Sequence, residues 1–140
     1  MAAAAARLGE RRRARWATAF RAPTPDAAIK QSWALLVSEA KNGTIRAWTA
    51  LCAQGHKVTD QAVNSEAAAF NAALVAAAEG LLKELGLQPT VPLEELGLLL
   101  AGVVHGMGLE LQAGIPPPRL EGAYAAAWLG VLSLTRPAPP

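Results

Sequence analysis

Cys52 and His56 stand four residues apart, a spacing that places two metal ligands on one helical face. A structural zinc site needs four ligands, and the chain offers one cysteine and two histidines in all. The sequence therefore predicts no metal site. A single thiol also excludes an internal disulfide. The four serines, Ser32, Ser38, Ser65 and Ser133, lie in no nucleophile-elbow or triad pattern. No paired-carboxylate motif is present, and the glycines between Gly97 and Gly108 lie inside a helical pattern rather than in a phosphate-cradling loop. The expectation is a protein that is not an enzyme and has no cofactor. Arg7, Arg11 and Arg15 recur at i, i+4 and place three cations on one face. The whole chain carries 13 basic and 11 acidic residues, a net charge of +2. Such a balance predicts at most weak, salt-sensitive, non-specific contact with nucleic acid, and a solvated basic face is the commoner outcome.

A different chemistry is open to the aromatic residues. Trp16, Phe20, Trp33, Trp48 and Phe70 all fall on apolar stripes of successive segments. Small-molecule sites are mostly apolar and aromatic, with a few placed polar groups. These five, with Cys52, Leu74, Val104 and Met107, form the candidate ligand site, and the expected ligand is a small apolar effector. Each of them also suits an ordinary core, so their convergence carries more weight than any single residue.

The elements that would position these side chains are helical. The chain has 140 residues, 52% of them hydrophobic, with alanine, the best helix former, prominent. One all-α domain is expected. Six helical segments follow from the punctuation. The first runs from about Ala5 to Phe20, with Leu8, Arg12, Trp16 and Phe20 at i, i+4. The second is capped by Thr24-Pro25-Asp26, carries Ile29, Trp33, Leu36 and Ala40, and stops at Asn42-Gly43. The third spans Thr44 to about Gln54, with Gly55 as its stop. The fourth is capped by Thr59, repeats Val63, Ala67, Phe70, Leu74, Ala77 and Leu81 as a packing seam, and ends at Gly86. No secretory signal is evident. The Arg- and Ala-rich start resembles an organelle transit peptide in composition but lacks serine.

The fifth segment contains LGLLLAGVVHGMGL, Leu96 to Leu109, a run without a formal charge. It is shorter than the roughly 20 residues that span a bilayer, so no membrane segment is expected. Leu96, Leu99, Leu100, Val103, Val104, Met107 and Leu111 form one broad face, and Leu98, Gly102, His105 and Leu109 much of the opposite one. A helix apolar on both sides must be covered on both sides. The sixth segment, to about Leu134, is uncharged from Gly122 onward and carries Tyr124, Ala127, Trp128 and Val131. Four short to moderate helices can cover one side of this pair. A second copy would cover the other, as an isologous four-helix bundle. The expected homodimer interface is Leu98, Gly102, His105, Leu109, Tyr124, Ala127, Trp128 and Val131.

LEELGLLLAGVVHGMGLELQAGIPPPRLEGAYAAAWLGVL resembles the last two helices of tetracycline-repressor (TetR) family regulators, which form the dimer interface there. ARLGERRRARWATAFRAPTPDAAIKQSWALLVSE looks like that family's linking helix and the first helix of its ligand-binding domain. The resemblance implies a six-helix, ligand-sensing and dimerisation domain of a cytoplasmic transcription regulator over residues 7–135, with a disordered or truncated stretch at 1–6 and a flexible tail at 136–140. Members often have Asp-Gly where this chain has His105-Gly106, so no role of that acid transfers. The family's helix-turn-helix precedes the linking helix, and DNA contact would depend on such a unit, which these residues do not contain. The alternative implied is an interaction module that pairs with a full-length regulator and disables its DNA binding.

Overall fold

The computed structural model describes residues 2–57 and 61–140, without the side chains of residues 2, 5, 54–57 and 61–64. Thr59 and the side chains of Val63 and His56 thus lie outside what is described. Six α-helices are present among those described, in the order α1 (Ala2–Ala19), α2 (Pro25–Lys41), α3 (Thr44–Lys57), α4 (Gln61–Glu84), α5 (Leu93–Gln112) and α6 (Pro117–Leu132), with strands β1 (Leu87–Pro89) and β2 (Thr135–Pro137). No helix among the described residues is long and apolar enough to cross a membrane.

Local chemistry explains most of the boundaries. The Thr24 side chain accepts from the Ala27 amide at 3.2 Å and Pro25 opens α2, so two of the first-turn groups need no other partner. Gly43 and Gly86 stop α2 and α4 with φ of +87° and +67°, a region that side-chain-bearing residues avoid. Asn42 Oδ1 then accepts from the Thr44 amide at 3.0 Å, restarting the chain into α3. Three expectations fail here. Gly55 lies inside α3, because an isolated glycine costs a helix only about 1 kcal/mol. The start is helical from Ala2 rather than disordered through residue 6. The tail is not free either: Gln88 pairs with Arg136 in an antiparallel ladder, Thr90 N donates to the Leu134 carbonyl and Ala138 N to the Gly86 carbonyl, each at 2.8 Å. This clasp sits over Leu82, Leu96 and Val131, with Leu87, Leu93 and Leu134 packed beside them.

α4 packs against α1, α3 and α5, while α2 closes the other side against α1, α3, α5 and α6. The α4–α5 approach is close. A Cβ on Gly97 would lie 2.9 Å from the Val75 Cα, so only glycine fits. The aromatic side chains do converge. Phe20 meets Trp16 and Trp128 at ring separations of 5.8 and 5.4 Å, Trp16 meets Phe70 at 6.4 Å, and Trp48 meets Phe70 at 5.6 Å. Trp33 stacks on Tyr124 at 5.0 Å, and the Tyr124 hydroxyl shares a 2.6 Å hydrogen bond with Ser32.

The run in α5 is covered on one side only within the chain. Leu96, Leu100, Ala101, Val104 and Leu111 are buried, but Leu98, Leu99 and Leu109 are 48%, 47% and 54% exposed. Leu99 therefore leaves the inward face assigned to it. On α6 the correction is larger. Tyr124, Trp128 and Val131 are core residues of this chain, at most 4% exposed, and cannot reach another copy. The outward side of α6 is instead Gly122, Ala126, Leu129 and Gly130, and Leu129 is 65% exposed. Burying the large aromatics inside leaves the small residues outside.

Candidate functional site

Arg12 belongs by spacing to the apolar stripe of α1, between Leu8 and Trp16, and that stripe faces inward. The guanidinium is consequently buried, 2% exposed. Its compensation comes from α2, where Glu39 is fully buried. Arg12 Nε donates to both carboxylate oxygens, at 3.2 and 3.1 Å, and Nη2 donates to Oε1 at 3.1 Å. Trp16 Nε1 also donates to Glu39 Oε1, at 3.0 Å. The other side of the guanidinium lies over aromatic rings, with Cζ 4.3 Å from the Phe70 centroid and 5.4 Å from that of Trp48. One guanidinium thus ties α1 to α2, α3 and α4. Next to it, Arg13 of α1 pairs with Glu66 of α4 nearer the surface.

The same arginine forms part of the wall of a cavity of about 260 Å³. α3 supplies Ile45, Trp48, Thr49 and Cys52; α4 supplies Ala67 and Asn71; α5 supplies Val104, His105, Gly108 and Leu109. The wall is mainly apolar, with polar side chains from Arg12, Thr49, Asn71 and His105 among its residues. That composition matches small-molecule sites in general. His105 Nε2 lies 3.3 Å from Asn71 Oδ1 and the ring sits 5.5 Å from Phe70. Burial, and then the Arg12 charge, push the His105 pKa down to about 4, so the imidazole is neutral near neutral pH. Facing a carbonyl oxygen, it donates from Nε2 and keeps Nδ1 as an acceptor. Burial pushes the Cys52 thiol up against the opposing pull of Arg12, which keeps it a thiol rather than a nucleophilic thiolate.

Of the nine expected ligand residues, Trp48, Cys52 and Val104 line this cavity. Phe70 lies behind it, against Trp48, His105 and Arg12. Trp16 is not part of the wall and stands behind it, against Phe70 and hydrogen-bonded to Glu39. Phe20, Trp33 and Leu74 are buried in the core, Met107 packs half-buried against it, and none of the four touches the cavity. Two residues expected at the dimer interface, His105 and Leu109, are part of the wall. Gly102 is exposed with open space where a Cβ would stand, Leu98 is exposed, and Ala127 is half-buried. Sequence reasoning missed Arg12, Glu39, Thr49 and Asn71. The available signal was charge on an apolar stripe: Arg12 between Leu8 and Trp16, and Glu39 seven residues after Ser32 and three after Leu36. By contrast Arg7, Arg11 and Arg15 are exposed, as a solvated face requires.

A second cleft, of about 340 Å³, lies between α1 and α4 and is lined by alanines, Gly80, Phe20 and Leu81, with exposed Arg21 and Glu84 at its rim. It has no buried polar group to orient a ligand. Among the described residues no group of three or more His, Cys, Asp or Glu could hold a metal ion.

No family model, curated protein or solved structure matches the chain.

Proposed function

We propose that the chain is the ligand-binding and dimerisation domain of a TetR-like transcription regulator, taking a small, mostly apolar effector in the cavity between α1, α3, α4 and α5. One observation carries this reading: the cavity wall includes a buried side chain of α1, the helix that resembles the family's link to DNA-binding domains. An effector touching Arg12 acts on the network that fixes α1 to α2 and α4. Its binding would bias the position of α1 relative to α5 and α6. In a regulator of this family such a bias alters the spacing of two DNA-binding domains. The exposed leucines of α5 and α6, Leu98, Leu99, Leu109 and Leu129, support pairing with a second copy, which would take apolar side chains out of water.

Thermal unfolding across a panel of diverse apolar compounds tests the ligand-binding part. A ligand at 100 times its Kd stabilises the folded state by about 2.7 kcal/mol, which gives a clear rise in Tm. A panel that moves Tm nowhere contradicts the reading.

A further inference from the structure

Among the described residues, Arg12 brings the one charge to the cavity wall. That charge is already matched. Nε and Nη2 donate to Glu39, and Nη1 is closed in by packing, so it offers nothing to a molecule in the cavity. The other titratable wall groups are uncharged near neutral pH, His105 as an imidazole and Cys52 as a thiol. An ionised ligand would leave water and find no free counter-charge, a large cost. Hydrogen-bonding capacity does remain. His105 Nε2 donates to Asn71 Oδ1, which leaves the imidazole Nδ1 as an acceptor and the Asn71 NH2 as a donor. Neither atom has a partner among the described residues, and neither is one of the buried atoms left without one, which are Arg12 Nη1 and Trp128 Nε1. Both therefore border open space. The open space that α4 and α5 share at these two side chains is the cavity.

We infer that the effector is an uncharged phenol of one or two rings, its hydroxyl donating to His105 Nδ1 and its rings lying against Ile45, Trp48 and Val104. A hydrocarbon would take water from Nδ1 and return no hydrogen bond. A ketone or an ether carries no hydrogen for that acceptor. A phenolic hydroxyl is a stronger donor than an aliphatic one, and its ring can stack on Trp48. Size agrees. A dry cavity of about 150 Å³ holds benzene, and this one measures about 260 Å³. This inference rests on the ligand-binding reading above and narrows it to one chemical class.

The test is calorimetric titration of the full chain near neutral pH with 1-naphthol and 4-ethylphenol. Each is set beside the hydrocarbon with a methyl in place of the hydroxyl and the acid with a carboxylate there. At least one phenol is expected to bind about five-fold or more tightly than its methyl counterpart, the factor that one net hydrogen bond supplies. Its acid should bind most weakly of the three. His105→Phe keeps a flat ring and removes the acceptor, so it should abolish the advantage of the phenol over the hydrocarbon. In the unaltered chain the nitrogen NMR signal of His105 Nδ1 should move when the phenol is added, a readout that a misfolded variant leaves intact. A hydrocarbon or an acid that binds as well as the phenol overturns the inference while the sensor reading stands. Phenols that do not bind, while another compound raises Tm, have the same meaning. A preference for the phenol that persists in His105→Phe, or an Nδ1 signal that stays in place, overturns the role of His105. No binding by phenols, hydrocarbons, acids or the wider panel overturns both the inference and the sensor reading.

Discussion

Glu39→Gln should be among the most damaging near-isosteric substitutions in this chain. It keeps the size of the side chain and one acceptor oxygen, but it removes the charge opposite Arg12. The carboxylate now accepts three donors, Arg12 Nε, Arg12 Nη2 and Trp16 Nε1, all in a site closed to water. Removing one partner of a buried pair costs about 3–5 kcal/mol, because the other charge stays behind uncompensated. For a domain of this size that is a fall of about 10–20 °C in Tm. Replacing both partners, in Arg12→Met with Glu39→Leu, removes the stranded charge as well. The double variant should lose far less than the sum of the two single ones. Urea unfolding followed by tryptophan fluorescence reads all four corners of the cycle, and Trp16 reports from beside Glu39. A loss under about 1 kcal/mol for Glu39→Gln, or single losses that simply add, would refute the view that this pair is a closed, interdependent unit.

Three further outcomes are expected. Gly97→Val should destabilise the fold by about 1–3 kcal/mol through overpacking, measurable by urea unfolding, because even the first added carbon meets the Val75 backbone. Stability should be full above pH 6.5, the ordinary His105 value, and decline as pH falls to about 4, the value in the fold, since only the unfolded chain takes up the proton in between. The shift sets an upper limit of about 3 kcal/mol, and the partly exposed ring reduces this to about 1–2 kcal/mol; the part of the pH dependence between those values should vanish in His105→Gln. Leu129→Arg should leave the stability of the single chain nearly unchanged, since that side chain is 65% exposed, while sedimentation should show it disrupting the proposed pairing with a second copy.

Much of the helical order was legible because it is written locally. Thr24-Pro25-Asp26, Gly43 and Gly86 act through their own backbone geometry, and no distant partner is needed to read them. The packing seam from Ala67 to Leu81 was readable for the same reason. What was not legible depends on distant partners. β2 joins Thr135–Pro137 to Leu87–Pro89, and no periodicity in three residues with a proline announces such a clasp. Arg12 was placed by its spacing on the inward stripe, yet a charge is ordinarily read as facing water, and its compensation by Glu39 lies on another helix. In α6 two faces are both apolar, so period alone could not say which faces inward. Area decided it: Tyr124 and Trp128 gain more from full burial than Gly122, Ala126 and Gly130 do. The cavity combines side chains of four helices, and only its tryptophan, cysteine and valine members were marked beforehand as ligand residues.

Native mass spectrometry of the purified chain tests the sensor-and-dimer account most directly, because one spectrum reports both assembly and bound small molecules. The account predicts a species of two 14.5 kDa chains carrying additional small-molecule mass, either retained or taken up on incubation with a compound that raises Tm. A monomer that neither carries nor takes up any small molecule would contradict it.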